Sequence, residues 1–346
     1  MKRIMTVALL MCILLGLCAC GGSGMGGMKA VDVTSGEKKE ANITVSEGGY
    51  PLTVQDYFEY ETVLESPPER VAVISGTPLN IWYDLGGKSI CTSDISDNLK
   101  LDPQYAQELL ALPVVGAVYS LDMEAVVAQN ADLVITQAGV QSTASQTLRN
   151  MDIPVIATLP RTFDDLVATY RAFGRILQVE GLAEEKIEAM TRERQSYIDQ
   201  APKEGKRIVI LYLTSSSLSV KLNSSIAGDI ATSLGADNIA SSLPPDTIGS
   251  ENTPLDIEYL VEQDPDLVLV TSMIGSNELA METMQKQFAD NMAWQSVKAV
   301  TQGKVYYLPQ EYFLYNAGPY YNEAVRYMAC TLYPEVFGEV SDWYGK

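Results

Sequence analysis

The residues best suited to chemistry in this sequence directly follow short apolar runs. They carry hydroxyl, amide and aromatic groups and one guanidinium, and they are Tyr119, Thr136, Gln137, Arg161, Thr271, Ser272, Tyr312 and Tyr315. Such side chains make directional hydrogen bonds and ring contacts, which suit a large and partly apolar ligand. No recognisable nucleophile motif accompanies them. The pattern therefore predicts a binding site rather than a catalytic one.

Histidine does not occur in the sequence. It is the usual general base near neutral pH and a frequent ligand of transition metals. Its absence excludes a Ser-His-Asp triad and argues against a tight zinc or manganese site, so we expect no catalytic residue, no cofactor and no resident metal. An enzyme would then need a converging pair of carboxylates. The formal net charge of −20 argues against binding to nucleic acid.

Two segments of the sequence are copies of one another. Residues 121–135 and 255–269 align without a gap at an offset of 134 residues. Each copy has the pattern of a short amphipathic helix, then a turn, then a buried apolar strand. The repeat predicts two lobes of similar build.

Apolar strands alternate with helices in both halves of the chain. The predicted strands are 71–74, 88–91, 133–136 and 154–158 in the first half, and 207–212, 236–240, 267–270 and 304–308 in the second. This alternation predicts the α/β class, with a parallel sheet covered by helices in each lobe. Parallel sheets bind ligands beyond the carboxyl ends of their strands, so the candidate residues should line a cleft between the lobes.

A single long helix is predicted between the two halves. Ala183, Ile187, Met190 and Tyr197 are the apolar residues of a segment that is otherwise rich in charge, and their spacing places them on one helical face. This helix would join the lobes.

The N-terminus has the layout of an export signal. Lys2 and Arg3 precede an apolar run that is too short to span a membrane as a mature helix. The run ends in Leu-Cys-Ala-Cys-Gly at 17–21, which resembles the lipobox of bacterial lipoproteins with Cys20 as the acylated residue. Glycine and polar residues follow, as in a flexible tether. An ordinary cleaved signal is the alternative interpretation.

These patterns divide the chain into five parts. They are a signal peptide at 1–19, a tether at 20–49, an N-terminal lobe at 50–180, a linking helix at 181–202 and a C-terminal lobe at 203–346. Cys91 and Cys330 are the cysteines beyond the anchor, and they lie in different lobes. We expect both to be buried free thiols rather than a disulfide between the lobes.

Several short segments, taken in order, resemble the class III substrate-binding proteins of ABC importers. The segments are Leu-Pro-Val-Val-Gly at 112–116, Asp-Leu-Val-Ile at 132–135, Asn-Met-Ala-Trp at 291–294, Gly-Lys-Val-Tyr-Tyr-Leu-Pro at 303–309 and Tyr-Pro-Glu at 333–335. That family carries ferric siderophores, cobalamin and haem, and one rigid helix joins its lobes. The resemblance covers approximately residues 67–337.

The resemblance also bears on the ligand. The haem-binding branch has a tyrosine directly after the glycine that corresponds to Gly116, whereas this chain has Ala117. Strongly anionic chelates call for several cations, and Arg161 is the single arginine on the predicted rim. A metal chelate of lower charge is therefore implied, in the first place a ferric siderophore such as a hydroxamate. A corrinoid is the alternative ligand, and an accessory or sensory lipoprotein without an importer is the alternative function.

The resemblance further implies an ABC permease with its ATPase as partner. In this family one carboxylate at the tip of each lobe pairs with arginines of the permease, and Glu124 and Glu258 match those positions in the repeat. A simpler explanation is that a negative charge is favourable in the first turn of any helix. We expect a monomer, anchored by lipid to the outer face of the cell membrane or located in the periplasm.

Overall fold

The computed structural model describes residues 42–97, 99–315 and 318–340. The predicted signal peptide, the predicted acylation site Cys20 and most of the predicted tether lie outside the described residues. Within the described ranges, no helix combines the length and the apolar character needed to cross a membrane.

A small antiparallel sheet opens the described chain. Its strands, in spatial order, are β1 (Thr44–Val45), β2 (Leu52–Gln55) and β3 (Glu61–Leu64). Ile43 is buried beside it, so the fold begins within the segment that was predicted to be tether up to residue 49. Exposed and buried residues alternate in β3, with Thr62 and Leu64 buried, as expected for a sheet with one covered face.

The N-terminal lobe contains a three-stranded parallel sheet and five helices. The strands lie in the order β4 (Val71–Val73), β7 (Leu133–Gln137) and β8 (Val155–Thr158). A hairpin of β5 (Gly116–Ala117) and β6 (Ser120–Leu121) stands apart from them. The helices are α1 (Gly76–Asp84), α2 (Ala106–Leu110), α3 (Met123–Ala128), α4 (Ser142–Arg149) and α5 (Phe163–Ile176).

One strand that was predicted for this lobe does not form. Residues 88–91 run beside β4, and the Ile90 amide donates a hydrogen bond to the Val71 carbonyl. Among the described residues, however, the β-pairing next to this segment is limited to an isolated parallel bridge between Thr92 and Val114. Ser89 explains part of the difference, since its hydroxyl accepts from the Val73 amide, 2.8 Å, in place of a backbone carbonyl.

The linking helix is α6 (Glu180–Gln200), which is within two residues of its predicted bounds. Ala183, Ile187 and Met190 are buried, as their spacing predicts. The helix packs against α5 on one side and against the C-terminal helix α12 (Tyr321–Leu332) on the other.

The C-terminal lobe contains a mixed sheet. Its strands are β9 (Arg207–Leu213), β10 (Leu218–Lys221), β11 (Asp237–Asn238), β12 (Asn252–Pro254), β13 (Leu267–Ser272) and β14 (Val305–Tyr307). β9, β11, β13 and β14 are parallel, as predicted, and the α/β class is confirmed. β10 and β12 are antiparallel and were not predicted; β12 pairs with β10, and β10 pairs with β9.

The helices of this lobe cover the sheet. They are α7 (Ile226–Ser233), α8 (Ile257–Gln263), α9 (Asn277–Asp290), α10 (Lys298–Thr301), α11 (Gln310–Phe313), α12 and α13 (Pro334–Phe337), with short 3-10 turns at Met292–Ser296 and Gly318–Tyr320.

The sequence repeat is a structural repeat down to individual hydrogen bonds. Asp122 and Asp256 are the N-caps of α3 and α8, where their carboxylates accept amide hydrogen bonds. Asn130 and Asp264 both adopt a positive φ, 50° and 46°, at the turn that follows. Asp132 then accepts from the Arg70 amide, and its copy Asp266 accepts from the Arg207 amide.

The two lobes share one hydrophobic core. Ile135 of β7, Ile187 of α6, Ile210 of β9 and Met328 of α12 belong to the same buried cluster. Residues 40–346 accordingly form one compact unit in which the two lobes are subdivisions.

Cys91 and Cys330 are buried free thiols, as predicted.

Candidate ligand-binding cleft

Three of the predicted site residues have their hydroxyls engaged inside a lobe. Thr136 is fully buried and shares a 2.7 Å hydrogen bond with Ser145. Thr271 donates to the Leu211 carbonyl, 3.1 Å, and Ser272 accepts from the Gln310 amide nitrogen, 2.9 Å. These hydroxyls hold strand ends and loops together beneath the cleft.

Gln137 lies one position further along β7 and is partly exposed. Its side-chain oxygen accepts a hydrogen bond from the Ser75 hydroxyl, 2.6 Å, at the start of α1. The backbone NH of Gln137 donates to the side-chain oxygen of Gln141, 2.9 Å. The side-chain nitrogen of Gln141 in turn donates to the Ile74 carbonyl, 2.6 Å. Gln137 therefore ties the ends of the two neighbouring strands β4 and β7 at the edge where the strand-end rule places a ligand.

Arg161 crosses from the N-terminal lobe to the C-terminal lobe. Its Nε lies 3.1 Å from Oε2 of Glu251, and its terminal nitrogen donates to the Gly249 carbonyl, 3.0 Å. Arg161 and Glu251 expose only 23% and 20% of their side chains, so this ion pair is better shielded from water than an ordinary surface pair.

Lys221 extends this ion pair into the C-terminal lobe. Its ammonium binds the other carboxylate oxygen of Glu251 and lies 3.9 Å from the ring centre of Tyr212. Only 6% of the lysine is exposed. Burial lowers the pKa of Lys221, and the Glu251 carboxylate opposes that shift. We call Arg161, Glu251 and Lys221 the cation cluster, because it holds two positive charges and one negative charge.

Tyrosines surround the cation cluster. Tyr119 of the N-terminal lobe lies near Tyr315 of the C-terminal lobe, and burial and this neighbour raise the pKa of Tyr119. The Tyr212 hydroxyl donates to the sulfur of Met273, 2.7 Å. Burial raises the pKa of Tyr212, and Glu251, Tyr119 and Tyr315 raise it further, so all three lie near its hydroxyl. Tyr212 is thus a neutral hydrogen-bonding group beside a positive centre.

Tyr312 takes part in a separate contact between the lobes. Its hydroxyl accepts from the Lys100 ammonium, 3.0 Å, and donates to Glu323, 2.8 Å. Lys100 also forms an ion pair with Glu323 and lies over the ring of Tyr320, 4.6 Å from its centre. Burial raises the pKa of Tyr312, so this hydroxyl keeps its proton.

The structure therefore brings Tyr119, Arg161 and Tyr315 together and places Tyr312 in a neighbouring network. Sequence reasoning missed Tyr212, Lys221 and Glu251. It considered only the ends of parallel strands, whereas Lys221 lies on the antiparallel strand β10 and Glu251 directly precedes β12. One signal was present in the sequence, because Lys221 stands between the apolar residues Val220 and Leu222.

The predicted docking residues are close in sequence to the cleft. Glu124 and Glu258 are exposed in the first turns of α3 and α8. In the N-terminal lobe, the two residues of β6 separate Tyr119 from the N-cap of α3. In the C-terminal lobe, β12 separates Glu251 from the N-terminus of α8. Each of these two helices is thus joined to the cleft by a short strand.

A groove of about 240 Å³ adjoins Tyr119 in the N-terminal lobe. It lies between the β5–β6 hairpin and α4, and its walls include Val118, Met123, Val140 and Thr147. Tyr119 itself is 58% exposed and forms one rim. The groove leaves space for part of a ligand beside the aromatic residues of the cleft.

Comparisons with known proteins agree with this architecture. The sequence model of the family described as periplasmic binding protein matches residues 71–312. No curated protein is significantly similar to the chain in sequence. Among solved structures, an ABC transporter substrate-binding protein from Listeria monocytogenes has a TM-score of 0.67 at 18% identity, over 76% of this chain and 98% of that chain.

Two further structures share the fold at similarly low identity. The haem complex of IsdE from S. aureus has a TM-score of 0.66 at 18% identity, over 76% of this chain and 98% of that chain. An ABC-type Fe³⁺-hydroxamate transport system from Saccharomonospora viridis has a TM-score of 0.66 at 19% identity, over 82% and 99%. Since the family model covers more than half of the sequence, this chain belongs to the periplasmic binding protein family, a family of binding proteins and not of enzymes.

Proposed function

We propose that this chain captures a ferric siderophore outside the cytoplasm and delivers it to an ABC importer. The observation that carries the proposal is the cation cluster, in which Arg161 of one lobe and Lys221 of the other meet beside three tyrosines. Ferric chelates present oxygen atoms with partial or full negative charge around an apolar scaffold. Guanidinium, ammonium and phenol groups are hydrogen-bond donors for such oxygens.

The alternatives fit these residues less well. The edge of a corrinoid consists mainly of neutral amides, which do not need two partly buried cations. Haem has carboxylates, but the position after Gly116, where the haem-binding branch has tyrosine, is Ala117. A ferric chelate uses the Arg161 guanidinium, the positive charge of the cation cluster and the tyrosine hydroxyls.

Delivery to the importer would use one glutamate from each copy of the repeat. Glu124 and Glu258 would pair with cations of the permease, because both are exposed at equivalent places in the two lobes. Acylation of Cys20 would keep the protein at the membrane surface where the permease is located. The polar segment after Cys20 is a tether of suitable composition.

The ligand class can be tested by fluorescence titration, because Tyr119, Tyr212 and Tyr315 lie in the cleft. The probes are a ferric hydroxamate, a ferric catecholate, ferric citrate, haem and cobalamin. We expect a ferric chelate to quench the fluorescence at the lowest concentration, with a dissociation constant at or below about 1 μM, about −8 kcal/mol. Tighter binding of cobalamin or haem than of every ferric chelate would overturn the proposal, as would binding of none.

A further inference from the structure

The ion pair between Arg161 and Glu251 stands where a ligand has to enter. The two side chains come from opposite lobes, and their charged atoms are 3.1 Å apart. No ligand atom fits between groups in hydrogen-bond contact. A ligand held between the lobes at this place has to separate Arg161 from Glu251.

Separation has different consequences for the two partners. Glu251 keeps a cation, because its other oxygen is bound by Lys221 of the same lobe. Arg161 loses its carboxylate and keeps only the Gly249 carbonyl if that contact persists. A poorly solvated charge without a counter-charge is costly, so the ligand has to supply an anionic oxygen to Arg161.

We propose that Glu251 is an exchangeable carboxylate which the ligand replaces on Arg161, so that the cleft selects ferric chelates bearing a free carboxylate. Lys221 acts in this exchange as the holder of the displaced Glu251 and does not itself contact the ligand. The proposal rests on the function proposed above and narrows the ligand class from ferric siderophores in general to carboxylate-bearing ones.

Two further observations support the exchange. Glu251 immediately precedes β12, which pairs with β10 at the end of the sheet, and edge segments can shift without breaking the central strands. Lys221 is almost fully buried, and burial lowers its pKa, so its charge depends on a nearby anion. Glu251 supplies that anion both before and after the exchange.

The test compares two ferric chelates of different charge on the full-length protein. Ferric dicitrate carries free carboxylates, whereas ferrichrome is a neutral trihydroxamate chelate. In Glu251→Gln the Arg161 side chain no longer has a carboxylate to give up, so both ligands avoid the cost of separating the pair. Only ferric dicitrate also supplies the missing carboxylate to Arg161, so its dissociation constant should fall at least about fivefold more than that for ferrichrome. Glu184→Gln is the matched control, because it breaks an arginine–glutamate pair between α5 and α6, with Arg171 Nε 2.7 Å from Glu184 Oε1, and it should change neither constant.

A second variant tests the role of Lys221. In an otherwise unchanged protein, Lys221→Met should weaken ferric dicitrate binding about fivefold, because no cation then holds Glu251 after the ligand displaces it from Arg161. With Glu251→Gln already in place, Lys221→Met should change the dissociation constant less than about twofold. Thermal unfolding of each variant establishes that the fold is retained.

The outcomes separate the two proposals. Binding of both chelates with an unchanged preference in Glu251→Gln overturns the exchange and leaves the proposed function standing. An equal loss from Lys221→Met in both backgrounds also overturns it, since Lys221 would then contact the ligand directly. Binding of neither chelate to the parent or to any variant overturns the exchange, and the proposed function falls with it only if a ferric catecholate also fails to bind.

Discussion

Single residues at the cleft already have partners before any ligand arrives. Arg161 binds Glu251 and Gly249, and Tyr312 binds Lys100 and Glu323. Ligand binding is therefore an exchange of hydrogen bonds, and the net free energy is smaller than the new contacts alone would give. Only interactions that are better than those replaced contribute to affinity.

Removal of Arg161 gives the first prediction. Arg161→Ala should weaken binding of the best ferric chelate by about 1.5 to 3 kcal/mol, the usual worth of a hydrogen bond to a charged group, which is about 10- to 150-fold in the dissociation constant. Fluorescence titration measures the change. Arg171→Ala is the control, because Arg171 pairs with Glu184 away from the cleft. Equal affinity of Arg161→Ala and the parent would show that the ligand lies elsewhere.

A second prediction concerns Asp229, where the lobes meet the linking helix. Its carboxylate accepts from the Phe163 amide, 2.9 Å, and from the Tyr321 hydroxyl, 3.2 Å. Loss of these bonds in Asp229→Ala should cost about 1 to 3 kcal/mol in the free energy of unfolding. Asp229→Asn should cost less, because its side-chain oxygen can still accept from Phe163.

The pH dependence of Asp229 has a definite sign. Burial is the main influence and raises the pKa of Asp229 above its usual value of 3.8. The folded protein then binds this proton more tightly than the unfolded chain, so the stability from Asp229 is greatest below pH 3.8 and declines as pH rises to the raised pKa. The stability difference between the parent and Asp229→Asn should shrink over that range in urea unfolding. A difference that grows with pH would contradict the assigned direction.

At the scale of elements, the repeat was predictable and the edge of the second sheet was not. The repeat carries a local signal, since a capped helix, a turn and an apolar strand follow one another within 15 residues in each copy. The pairing of β10 with β12 joins Lys221 to Asn252, and the Arg161–Glu251 pair joins different lobes. Neither leaves a periodic pattern, because each depends on where distant elements pack.

The same distinction holds for the candidate site residues. Tyr119, Arg161 and Tyr315 could be predicted from the rule that ligands bind beyond strand ends. Thr136 and Thr271 satisfy that rule too, but the alternation within a strand turned their hydroxyls into a lobe. The rule locates the edge of a sheet and does not give the direction of each side chain.

The third prediction concerns the first turns of α3 and α8. Glu124→Lys with Glu258→Lys should abolish ligand uptake by cells, because the permease would meet cations in place of carboxylates. The dissociation constant for ligand in solution should stay within about twofold, under about 0.5 kcal/mol. Glu278→Lys tests the simpler explanation: Glu278 is likewise exposed in the first turn of a helix, α9, so it carries the same helix-dipole cost. Normal uptake by the double variant would remove the docking role.

The whole molecule is two lobes on one continuous core, attached to a long N-terminal segment. The buried cluster that α6 and α12 share with both sheets opposes a wide rotation of the lobes, because such a rotation would expose it. Changes on ligand binding should therefore be confined to side chains and edge segments around the cleft. The exchange at Glu251 requires a movement of this size.

The fourth prediction concerns attachment of the whole molecule. Cys20→Ala should prevent acylation, so the protein should leave the detergent phase in a two-phase partition of cells that express it, whereas the parent should stay there. A variant at the neighbouring Cys18, Cys18→Ala, is the control for changes near the processing site. Partition of Cys20→Ala identical to that of the parent would contradict the lipoprotein assignment.

The short strand β12 has a consequence for cooperation between the two binding partners. It connects Glu251, which the ligand displaces, with α8, which carries Glu258. If displacement of Glu251 shifts β12, the loaded and empty forms have different affinities for the permease. Thermodynamic reciprocity then requires that docking change the ligand affinity by the same factor. A permease that binds the empty form more tightly would therefore lower the affinity of the protein for its ligand by docking. Release of the ligand at the membrane would then need no separate trigger.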